Sequence, residues 1–207
     1  MSSGTKKMSK TCLVVGNGPS LAQIPDEFLK QYPTFGSNHC YTRFVPSYYA
    51  CVDPRNLVSR ATDIGNLSCM KFIVNHMAHF VRGSVPLISE PHRGAFSTNA
   101  LAWFNGGHTA TFVLLQLAYC YGFERVGLIG VDHRYTPSSD GKDRNHFTEN
   151  YYREGETWEI PDLSKREVSY RVAKEMFEKD GREIINITPN SALDIFPKEN
   201  WEDWCIG

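Results

Sequence analysis

Short runs of β-branched and apolar residues recur along this chain, and several are closed by Gly, Asn or Asp. The first is Thr11 to Val15, which ends at Gly16-Asn17-Gly18-Pro19-Ser20. Longer stretches with helical spacing lie between these runs. Strands that alternate with helices are joined by crossovers, which yields a mostly parallel sheet covered on both faces. The expected fold is therefore α/β, a single doubly wound, mostly parallel sheet.

Further strands are predicted at Pro33 to Ser37, Tyr48 to Val52, Lys71 to Asn75 and Val85 to Ile88. The run Thr109 to Tyr121 follows Gly106-Gly107 and stops at Gly122. It is apolar nearly all round, which predicts a deeply buried helix. Arg125 to Ile129 reads as a central strand that ends at Gly130-Val131-Asp132. A second helix begins at Ser164, where Ser164 and Glu167 fit a capping box, and Gly181 is a suitable stop. Tyr170, Ala173, Lys174 and Phe177 share one side of it, and Glu183 to Ile187 is the strand it feeds. Residues 133–163 between the two units are polar, dotted with tyrosine and poorly periodic, as a lid insertion is.

At 207 residues the chain is expected to form one domain over 11–207, preceded by a flexible tail over 1–10. Lys and Arg number 22 and Asp and Glu 23, so net charge exerts no general pull toward nucleic acid or anionic lipid. No apolar run approaches the ~20 residues of a membrane span. Cys12 to Val15 is also shorter than the ~7–15 residues of a signal-peptide core. A cytoplasmic location is expected, and a homo-oligomer is left open. The six cysteines, Cys12, Cys40, Cys51, Cys69, Cys120 and Cys205, are scattered without a C-x-x-C pair. They read as reduced apolar residues rather than disulfides or a zinc site. His76 and His79 could share a helix face but lack a third ligand nearby.

Gly16, Asn17, Gly18 and Ser20 form a strand-to-helix turn whose exposed N–H groups suit a phosphate. A third fingerprint glycine is missing, since Leu21 stands there, so a plain tight turn is the alternative. Gly106 and Gly107 precede the buried helix and offer a second anion site or a simple flexible cap. Asp53 and Asp132 each end a strand, on the side where open α/β sheets bind ligands, although aspartate is also an ordinary turn residue. His146 lies in the lid among Phe147, Tyr151 and Tyr152 and is a candidate general base for a hydroxyl.

Five blocks occur in a fixed order, namely Val14 to Leu21, Phe35 to Asn38, Tyr49 to Pro54, Leu128 to His133 and Asn186 to Ser191. In that order the chain resembles two related groups. One is the MptE-like 6-hydroxymethylpterin pyrophosphokinase domain family, and the other is the bacterial family 42 sialyltransferases. The resemblance covers about Thr11 to Phe196. Resemblance to the sialyltransferases implies a Rossmann-like nucleotide-binding sheet with a lid, and places Asn17, Asn38 and Asp53 on a cytidine nucleotide. It implies a lid histidine, matched by His146, as base. It also implies tyrosines on the leaving phosphate, for which Tyr135 is the nearest candidate, and no metal in the chemistry. The chain departs from that pattern at Asp53, where those enzymes carry asparagine, and around Asn105 to His108, where an acceptor-site arginine and serine are replaced. Arg134 stands in the place matching the tyrosine. The Asp53 form looks more like the MptE-like branch, where Mg²⁺ would be held by carboxylates, here Asp53 or Asp132.

The function expected is a nucleotide-dependent transferase, most concretely a sialyltransferase-like glycosyltransferase in surface-glycan assembly. It would take a nucleotide or nucleotide-sugar donor and a hydroxyl acceptor, with no tightly bound cofactor. The alternatives are an MptE-like pyrophosphokinase that moves diphosphate from ATP, and a non-catalytic nucleotide-binding subunit.

Overall fold

A computed structural model describes residues 10–137, 143–156 and 159–204 of the chain. Seven strands make one sheet, β1 (Thr11–Val15), β2 (Thr34–Ser37), β3 (Tyr48–Cys51), β4 (Met70–Val74), β5 (Ser84–Leu87), β6 (Arg125–Ile129) and β7 (Glu183–Asn186). Their spatial order is β5-β4-β3-β2-β1-β6-β7, and every pairing is parallel. The fold is a Rossmann-like α/β sheet flanked by helices, as the sequence predicts, and each strand lies within one residue of its predicted span.

Parallel strands covered on both faces need side chains that are apolar in both directions. β1 does this with no exposed residue. Cys12 and Val14 join the cluster that includes the long central helix, while Leu13 and Val15 pack on Leu21, Ile24, Phe28 and Leu29. The last two belong to α1 (Asp26–Leu29), a short helix between β1 and β2. Two more short helices, α2 (Arg55–Val58) and α3 (Ala61–Gly65), link β3 to β4. His76 and His79 lie exposed in a 3-10 segment, Asn75–Phe80.

From β1 the chain steps outward to the β5 edge. Helix α4 (Ala110–Cys120) then carries it back over β3, β2 and β1 to β6. That path explains why α4 is apolar all round, with Thr111 to Tyr119 buried between the sheet and its neighbouring helix. Its one amide, Gln116, is fully buried. It accepts from the backbone N–H of Ser97 (2.9 Å) and Asn105 (3.1 Å) and donates to the Asn105 carbonyl (2.7 Å). The irregular crossover before α4 is thereby fastened to the helix it leads into.

Helix α5 (Leu163–Lys179) lies beside α4 and buries Ser169, Tyr170, Ala173 and Phe177. The Phe177 ring packs edge-on to Tyr119 and Phe96. The capping box expected at Ser164 is not what starts α5. Asp162 is the N-cap, and its carboxylate accepts from the N–H of Ser164 (3.1 Å) and Lys165 (3.3 Å). A charged acceptor suits the positive end of the helix dipole better than a hydroxyl. Glu167 turns instead to Arg171 and His133.

Lys10 belongs to the fold rather than to a tail, because its carbonyl accepts from Glu124 N (2.8 Å) and Arg125 N (3.2 Å). The rest of the expected tail, 1–9, and Cys205 lie outside the described residues. Cys12, Cys40 and Cys51 are buried, Cys69 and Cys120 half-buried, and all five are free thiols.

The described parts of the expected lid are firmly attached. Tyr151 is 2% exposed, and its carbonyl accepts from Arg60 (3.0 Å). Arg60 also pairs with Glu156 at 2.6 Å, with side chains only 3% and 10% exposed. Removing one member of a buried pair leaves the other charge uncompensated and costs about 3–5 kcal/mol. Arg60→Ala should lower stability by about that amount in urea unfolding. An unchanged midpoint would show that the pair does not pin the segment.

Candidate functional site

The reversal of direction falls between β1 and β6, and a cleft opens there at the carboxyl ends of the strands, the usual ligand position in such sheets. Its cavity volume is about 180 Å³, below the ~300–1,000 Å³ of sites that enclose a small molecule. Two turns form its floor. Gly16 N donates to Ile129 O (2.7 Å) and Gly18 N to Gly130 O (2.9 Å). A Cβ on Gly18 would stand 1.9 Å from Asp132 Oδ2, so only glycine lets the turns touch. Gly130 takes φ +69, which fits the same need.

Asp132 lies in this junction. Its carboxylate accepts from Ser20 Oγ (2.8 Å) and Ser20 N (3.2 Å), and burial pushes its carboxyl up despite those bonds. Ser20 is buried behind Asp132 and does not line the cleft. Asn17 lines it and ties the turn to β2 through Nδ2 to Ser37 O (3.1 Å), while its buried Oδ1 has no partner among the described residues. Asn38 and His133 also line it, with left-handed φ of +53 and +54. Non-glycine residues adopt that conformation at a cost of ~1–2 kcal/mol, and such strain gathers at functional sites.

Asp53 reaches the same cleft. Arg55, which the sequence reading did not single out, holds both its oxygens, with Nε at 3.2 Å from each and Nη2 at 2.9 Å from Oδ2. A guanidinium of the protein thus offsets the charge of this carboxylate. Asp53 and Asp132 are both committed to protein donors. Among the described residues no group of three or more His, Cys, Asp or Glu side chains could hold a metal ion.

The segment after Asp132 supplies the opposite wall. His146 Nδ1 lies 2.7 Å from Asp143 Oδ2, with side chains 12% and 9% exposed. The ring stacks on Tyr151 at 3.9 Å and 10°. A carboxylate only accepts, so Nδ1 carries the proton of the neutral ring and Nε2 is the basic nitrogen. Burial lowers the His146 pKa and Asp143 raises it, with a net downward shift. Tyr135 lines the cleft, and its hydroxyl accepts from the Arg166 guanidinium. Asp143 and Arg166 were both missed by sequence reading. The spacing of Asp143 to His146 was the only signal for the first.

Gly106 and Gly107 are not brought to the cleft. Gly107, at φ +53, packs on the Phe112 ring and caps the turn before α4. The first residues of α4, with the N-cap Thr109, line the cleft in their place.

His39 was not singled out by sequence and lies fully buried behind this wall. Its Nδ1 donates to Tyr151 O (3.1 Å), and its Nε2 has no partner among the described residues. Burial, aided by the Arg60 charge, lowers its pKa to about 4.

No family model matches the chain, and no curated protein matches it in sequence. A solved structure does match, that of the MAf glycosyltransferase from Magnetospirillum magneticum AMB-1, with a TM-score of 0.62 and 12% identity. The alignment covers 98% of this chain and 35% of that protein, so the chain spans about a third of its length. At this identity the likeness shows a shared fold.

The His39 environment sets a pH dependence. Its folded pKa lies below the ordinary 6.5, so the unfolded chain binds the proton more readily. The stability His39 confers is complete above pH 6.5 and is lost as pH falls toward 4. Urea midpoints of the wild type and His39→Gln should converge across that window, and a constant difference would contradict the shift.

Proposed function

We propose that the protein is a nucleotide-dependent transferase, and specifically a glycosyltransferase that moves a sugar from a nucleotide-sugar donor to a hydroxyl acceptor. The observation that carries this reading is the Asp143–His146 pair, set in a polar cleft opposite the glycine turns. A neutral imidazole with its tautomer fixed by a carboxylate is suited to take a proton from a hydroxyl. Asp143 is a positioning residue, which orients the ring and stabilises the imidazolium that forms.

The reaction is a direct displacement. The acceptor oxygen attacks the anomeric carbon while its proton passes to His146 Nε2. The bond from that carbon to the donor phosphate breaks, and its electron pair stays on the phosphate oxygen. In this reading the Tyr135 hydroxyl, which lines the cleft, meets the charge that develops there. Shared fold with a glycosyltransferase supports the general class. Sialyltransferase-like donor chemistry and a place in surface-glycan assembly follow from the sequence resemblance. The commitment of Asp53 to Arg55 and of Asp132 to Ser20 favours this chemistry over Mg²⁺-dependent diphosphate transfer.

Calorimetric titration with CMP, UDP and ATP, each with Mg²⁺ and with chelator, tests the reading. Binding of a pyrimidine nucleotide without metal is expected, and strictly Mg²⁺-dependent ATP binding would replace it with the pyrophosphokinase.

With a donor in hand, His146→Ala should lower turnover ~10²–10⁴-fold. Asp143→Asn should lower it by about tenfold or more and leave nucleotide affinity unchanged. Asp143 raises the His146 pKa, so its loss should move the acid limb of the pH–rate profile to lower pH. An unmoved limb would remove Asp143 from the mechanism.

A further inference from the structure

Arg166 stands out among the cations of the cleft. Arg55 is neutralised by Asp53, and Arg134 is exposed, with one long contact to Asn190 O at 3.5 Å. Arg166 is half-buried in the first turn of α5 and has no carboxylate within 4 Å among the described residues. It is nevertheless held in place. Nε donates to His108 O (3.2 Å), Nη1 donates to the Tyr135 hydroxyl, and the guanidinium lies 5.3 Å from the centre of the Tyr135 ring. Nη2 has no partner among the described residues.

A guanidinium is normally anchored by an acid when it is drawn out of water. Here neutral groups fix its plane and leave one edge unused. Arg166 lines the cleft together with His146 and His133. The bond to His108 O also sets it beside the start of α4, whose N-cap, Thr109, makes no side-chain cap. Two positive features of separate origin therefore face one space.

We propose that Arg166 is an anion-recognition residue, which takes a phosphate or carboxylate oxygen of the substrate next to the His146 base. The inference rests on the cleft being the substrate site. Two sources supply such a group, the phosphate of the nucleotide donor and an acidic substituent on the acceptor sugar. Pre-organised guanidinium contacts to anions are geometry-specific, so lysine should not replace arginine fully.

The test compares the wild type with Arg166→Gln and Arg166→Lys by calorimetry. The probes are inorganic pyrophosphate, CMP against cytidine, and glucuronate against glucose. Arg166→Gln should lose about ten- to a hundredfold in affinity for the anionic probes of one source, with Arg166→Lys between it and the wild type, and the neutral partners unchanged. Loss on CMP and pyrophosphate assigns the donor phosphate, and loss on glucuronate assigns the acceptor. Equal anion binding by all three proteins overturns the proposal. So does a uniform loss on charged and neutral probes with a lowered Tm, which marks a merely structural role. If the wild type binds pyrophosphate through Arg166 but no nucleotide, the nucleotide reading falls and this one stands. If it binds none of the probes, both fall.

Discussion

The contact between the ends of β1 and β6 is the constraint on which the site depends. Gly16 and Gly18 lie so close to the Gly130–Asp132 turn that neither could carry a side chain without displacing backbone. Two backbone hydrogen bonds and the reception of Asp132 by Ser20 lock the junction. Because the chain leaves β1 and β6 in opposite directions, the loops above them must diverge, and a cleft opens over the lock. The segment after Asp132 is then forced across that opening. Its path is closed by a further backbone bond, Phe147 N to Asn17 O at 3.1 Å.

The fold was readable from sequence where burial on both faces made the pattern insensitive to detail. β1, α4 and β6 are apolar in every direction because they are covered in every direction, so their limits were found within a residue. The cap of α5 was misplaced because Asp162 and Ser164 both satisfy the local rule, and only the observed path of the chain into the helix decides between them. The site was legible in part. Asn17, Asn38, Asp53, Asp132, Tyr135 and His146 meet in one cleft because each follows a strand or sits in the segment that crosses the strand ends. Arg166 and His39 were illegible for a common reason. Their partners are set by how the long segment folds back, as in the meeting of His39 with Tyr151, 112 residues away.

That segment also corrects the intuition that polar, aperiodic chain is solvated. Its aromatic residues form an inner wall, in which His146 and Tyr151 stack and His39, Phe147 and Tyr152 meet them edge-on or tilted. Aromatic rings bury large areas without needing regular backbone, so a loop can carry a small core of its own. The Arg60–Glu156 pair then secures a stretch that has no ladder of backbone bonds to hold it. In the proposed transfer, rigidity at this wall would matter, because a base displaced by about 1 Å loses much of its effect.

The surroundings of His146 set opposing demands on one imidazole. Withdrawal from water weakens it as a base, and the nearby Arg166 charge acts in the same sense. Both keep the ring neutral, and therefore able to accept a proton, at pH values where a solvated histidine would be partly charged. Neutrality alone would leave it too weak to pull a proton from a hydroxyl. In the proposed transfer Asp143 would work against that weakness, because its attraction would grow as the ring became an imidazolium in the transition state. A bound anion on Arg166 would shift the balance further, by cancelling the charge that depresses the ring. In the proposed transfer His146 would then be the stronger base only when the cleft is filled, so proton removal would wait on the substrate.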